Sequence, residues 1–169
     1  MVTEPLRILV AVHGHERDSF ADEVRRALSP QPAAVVRILV VEEPRAAGFT
    51  SLLPAARRRY RGAVRRWREI AAAARARTVD ALVPRLPAGG EVVHTACRYD
   101  VGHTIVEHAA AWPAHVIVVG RDSRGGLSRF ILSPVHVRVV REAPCTVVVV
   151  PATAAAAVPL RRVAADLSR

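Results

Sequence analysis

The chain has 169 residues, 51% hydrophobic but only 4% aromatic, so it suits one domain with a core of Val, Ile, Leu and Ala. All 25 basic residues are Arg, against 15 acidic ones, giving a formal charge of +10; with the abundant Ala and Pro this matches a GC-rich genome. Two cysteines, Cys97 and Cys145, exclude a disulfide scaffold and lack metal-ligand spacing, and no apolar run approaches the roughly 18 residues of a membrane span.

Residues 1–7 carry an acid and a proline where a signal peptide would be basic, and residues 8–12 are too short for its apolar segment, so a cytoplasmic location is expected. Residues 6–12 form the first expected strand and 18–28 a helix; 35–41 form the second strand and 55–82 a long helix. Pro84, Pro87, Gly89 and Gly90 turn the chain into a third strand over 91–96. A helix over 101–112, a strand over 115–119, a short helix over 133–142 and a last strand over 145–150 complete the series. Four of the five strand runs are almost continuously apolar, as strands covered on both faces must be. The expected fold is therefore a doubly wound α/β domain with a five-stranded parallel sheet and helices on both faces, over residues 1–151. Residues 152–169 read as an Ala-rich linker and a short amphipathic tail helix.

In the long helix, Tyr60, Ala63, Val64, Trp67, Ile70, Ala71 and Ala74 recur at helical spacing and predict one buried stripe. Arg57, Arg58, Arg61, Arg65, Arg68 and Arg75 mostly fall away from it and read as a solvated face. No aromatic interleaving or nucleic-acid motif accompanies these arginines, so a basic nucleic-acid-associated protein is the third-ranked reading.

The segment VIVVGRDSRGGLSRFILSPVHVRVVREAPCTVVVV, from Val116, is the most informative. Val118, Val119 and Gly120 end a strand; Gly125, Gly126, Leu127, Ser128 and Arg129 follow; then come Arg141, Ala143, Pro144 and Cys145 before a Val-rich strand. In that order, and with ILVAVHG at residues 8–14, the chain resembles the universal stress protein family across about residues 5–151. The resemblance implies the strand order 3-2-1-4-5 and, in one branch, an ATP-binding pattern. That pattern is an acid ending the first strand and Gly-x2-Gly-x9-Gly followed by Ser or Thr, whose glycines let backbone N–H groups surround phosphates. The acid falls on His13, the glycines on Gly120, Ser123 and Ser133, and the hydroxyl on Pro134, which has neither hydroxyl nor N–H. Ser133 and Pro134 also read as a helix N-cap and first turn, which fold without a ligand.

The resulting expectation is a non-enzymatic stress-response module with a degenerate cleft and no cofactor. The alternative is an ATP or AMP binder in which Arg121, Arg124 and Arg129 replace the lost glycines, with slow hydrolysis left open. A retained nucleotide would then draw on Ala11, His13, Val41, Gly120, Arg121, Ser123, Arg124, Ser133 and Val135. His13, His15, His103 and His108 read as packed or solvent-facing and not as metal ligands, and RDSRG at residues 121–125 lacks the first Gly of a nucleophile elbow. Because the last strand is apolar yet would lie at a sheet edge, a homodimer through Thr146, Val147, Val148, Val149 and Val150 is expected, as the resemblance also implies.

Overall fold

The computed structural model describes residues 4–14, 16, 19–28, 34–42, 54–86, 90–97, 100–121 and 135–150. The elements run β1 (Arg7–Val12), α1 (Phe20–Leu28), β2 (Val35–Glu42), α2 (Pro54–Leu82), β3 (Glu91–Ala96), α3 (Val101–Ala111), β4 (Val116–Gly120), α4 (Val135–Glu142) and β5 (Thr146–Val150). The five strands form one sheet in the order β3-β2-β1-β4-β5, every neighbouring pair parallel. This is the doubly wound architecture expected from the apolar runs and the order implied by the resemblance. The expected tail helix lies outside the described residues.

Strand side chains alternate between the two faces, and both faces are apolar, so the sheet carries a core on each side. Ile8, Val10, Val12, Ile38, Val40 and Val118 pack with α1 and with Leu82 of α2. Leu9, Ala11, Leu39, Val41, Ile117 and Val119 pack with Val101, Ile105 and Ala109 of α3 and Val139 of α4. Asp100 caps α3, its side chain accepting from the backbone N–H of His103 at 3.0 Å. Ile105 is fully buried at the centre of the second core. Ile105→Ala is expected to cost about 2–5 kcal/mol, read as a lower urea midpoint at unchanged slope.

The two sheet edges differ. At β3, Arg37 of β2 lies beside Glu91 and bonds its carboxylate at 2.7 Å, and the same guanidinium sits 4.4 Å from the Trp112 ring centroid. Charge thus marks that edge. At the opposite edge β5 has no charged residue, and Thr146, Val147, Val148 and Val149 are only partly buried. Trp112 packs against the second core, in which the Cys97 side chain is buried.

The buried stripe of α2 departs from the expectation at two positions. Ile70 is 62% exposed, whereas Arg75, expected on the solvated face, is only 9% exposed. The helix docks along Ala71, Arg75 and Leu82, one residue round from Ile70. Arg75 fits because it meets Gly14: a Cβ there would lie 3.0 Å from Arg75 Cγ and 3.2 Å from the Ala71 carbonyl oxygen. Arg61, Arg65, Arg66 and Arg68 are exposed, in line with a solvated face.

Candidate functional site

In a doubly wound sheet the ligand crevice lies beyond the carboxyl ends of the strands where the winding reverses, here between β1 and β4. His13 leaves β1 at this point, its residue only 4% exposed. Gly14 follows with φ of +90°, a left-handed conformation that an L side chain rarely adopts, so the chain reverses sharply. The reversal brings Glu16 back over the end of β1. Its Oε1 accepts from the His13 backbone N–H at 2.6 Å and its Oε2 from the Gly14 N–H at 2.8 Å. Oε1 is also 2.6 Å from His13 Nδ1, and the Glu16 side chain has no exposed surface.

Burial alone would push the Glu16 carboxyl up; the facing His13 imidazole and the backbone donors outweigh it and hold the group at about 2. Glu16 is thus an internal anion at neutral pH. It also borders β4, since a Cβ added at Gly120 would lie 3.5 Å from Glu16 Cγ and 3.2 Å from the Phe20 ring. The sequence predicts the first helix from residue 18 and does not place Glu16 among the site residues; the helix begins at Phe20, which leaves Glu16 ahead of it. The available signal was an acid three residues beyond His13, spacing that lets a carboxylate reach back to open N–H groups.

The other expected site residues divide into three groups. Ala11 and Val41 are buried in the α3–α4 core, with Val135 packed against it. Gly120 is buried at the end of β4, and Arg121 is exposed, its backbone N–H donating to the Val150 oxygen at 3.0 Å. Ser123, Arg124, Ser133 and Pro134 lie outside the described residues. His103 approaches Glu107 and Glu142 at 3.3 and 3.8 Å, and His108 Nε2 is 3.3 Å from Thr95 Oγ1. Among the described residues no three His, Cys, Asp or Glu side chains come together as a metal site would require.

The family model for the universal stress protein family matches residues 6–151. The chain belongs to the universal stress protein family. No curated protein sequence matches this universal stress protein. Solved structures share its fold at low identity. A universal stress protein in complex with cAMP has a TM-score of 0.56 at 16% identity, over 89% of this chain and 100% of that one. The Archaeoglobus fulgidus universal stress protein in complex with dAMP has a TM-score of 0.50 at 19% identity, over 89% and 99%. An Arabidopsis thaliana family protein with AMP bound has a TM-score of 0.53 at 16% identity, over 89% and 94%. Among the described residues of this universal stress protein, no helix is long and apolar enough to cross a membrane.

Proposed function

We propose that this universal stress protein is a non-enzymatic regulatory module whose switch-point cleft is weakened for nucleotide by its own Glu16. The carrying observation is the buried, ionised Glu16 carboxylate, which already occupies the His13 and Gly14 N–H donors and borders Gly120. Gly120 is where the family's phosphate-binding pattern would begin. A phosphate about 6 Å from the carboxylate would meet a repulsion of about 3 kcal/mol at an effective dielectric near 20. The family's acid position holds His13, and Pro134 removes two donors farther along the chain.

A second reading keeps the nucleotide. Three structural neighbours hold cAMP, dAMP or AMP, and this chain keeps the β1–β4 switch point at which a doubly wound sheet takes its ligand. Calorimetric titration with ATP and magnesium separates the two readings. The parent protein is expected to bind no tighter than about 1 mM, and Glu16→Gln to bind at least about tenfold more tightly. Stoichiometric adenine nucleotide released on denaturing the purified parent would establish the second reading instead.

A further inference from the structure

A cavity of about 380 Å³ lies where α2 passes the carboxyl ends of β2 and β3, lined by Glu42, Trp67, Arg68, Ala72, Arg75 and Ala96 among others. It shares no residue with the nucleotide set of the cleft, and its reading does not depend on that of Glu16. Its volume falls in the range of small-molecule sites.

The cavity carries two arginines against one carboxylate, Glu42. Arg75 is 9% exposed, and among the described residues no carboxylate lies within ion-pair distance of it. A guanidinium withdrawn from water without a counter-charge is costly, so the position favours an arriving anion. The Arg75 stem is also held in place, because the bare Cα of Gly14 admits it and an added Cβ would lie 3.0 Å from its Cγ. A held guanidinium presents its paired N–H donors with little further ordering, which suits bidentate contact with a carboxylate or phosphate. Arg68, exposed at the same cavity, adds a second cation, and the half-buried Trp67 adds an aromatic wall.

We propose that this cavity binds a small organic anion with a flat ring, its carboxylate or phosphate held by Arg75 and Arg68 and its ring against Trp67. Phenyl phosphate and benzoate are the probes, titrated calorimetrically and by tryptophan fluorescence in a Trp112→Phe background that leaves Trp67 as the reporter.

At least one probe is expected to saturate with a Kd of about 1 mM or tighter. Arg75→Gln should weaken that binding about tenfold and Arg68→Gln about threefold, and Ala72→Phe should fill the space and abolish it. Arg141→Gln, on the exposed face of α4, should change nothing. Saturation by phenyl phosphate alone supports a phosphomonoester site, and saturation by both supports a general anion site. If Arg75→Gln fails to fold, the exposed positions Arg68 and Ala72 carry the test. Saturation by neither probe up to about 10 mM, or equal weakening by Arg141→Gln, would overturn the proposal.

Discussion

Glu16→Ala is expected to cost about 3–5 kcal/mol, the scale for removing one partner from a buried charged contact. The substitution leaves the His13 and Gly14 N–H groups without their acceptor and takes the carboxylate away from the His13 imidazole. Against a usual total of about 5–15 kcal/mol, this is a large fraction of the stability, and urea unfolding reads it directly. Glu16→Gln should cost less, because its amide oxygen still accepts one of the two N–H groups.

The same carboxylate sets a pH signature. Its folded value of about 2 lies below the ordinary 4.5, so between those values the unfolded chain binds more protons than the folded one. Its contribution is fully present above 4.5 and is lost as pH falls through the window toward 2. The loss should reach about 2 kcal/mol by pH 3. In Glu16→Gln this component should be absent from the unfolding free energy measured between pH 6 and pH 3. An identical pH slope in parent and variant would show that Glu16 is not held ionised in the fold.

Val147→Pro is expected to turn a homodimer into a monomer at micromolar concentration, by sedimentation. The Val150 oxygen accepts from Arg121 of the β4 side, and a parallel ladder alternates, so Thr146, Val148 and Val150 direct their backbone groups to β4. Val147 and Val149 therefore direct theirs to the open edge. Proline at Val147 deletes an outward N–H without removing a β4 bond, so the fold should survive while edge pairing fails. Val148→Lys, in contrast, would place a charge on a side chain that packs against the first core, and dissociation or insolubility is the expected result. A monomeric parent would refute the two-fold pairing of β5 and leave its uncharged edge to be covered in another way.

Much of this molecule was legible in one dimension. The almost continuously apolar runs at residues 35–41 and 115–119 identified strands covered on both faces, and the helical segments between them required a parallel sheet. Those signals work because strand and helix periods are local, and burial on both faces leaves no polar alternation to confuse them. The strand order came through the resemblance at residues 116–150, as did Gly120 and His13 as cleft positions. The structure places both at the β1–β4 switch point.

Tertiary structure decided the chemistry at that point. Glu16, outside the expected site residues, joins the site through the reversal at Gly14, which lets its carboxylate close onto donors that a sequence pattern leaves open. Arg75 and Ile70 exchanged their expected environments because the rotation of α2 about its axis is set by what it packs against. The period of a helix shows that one face is buried, but a stripe of Ala and Trp beside many arginines defines that face only loosely. The missing side chain of Gly14, distant in sequence and adjacent in space, admits Arg75 and so completes the choice.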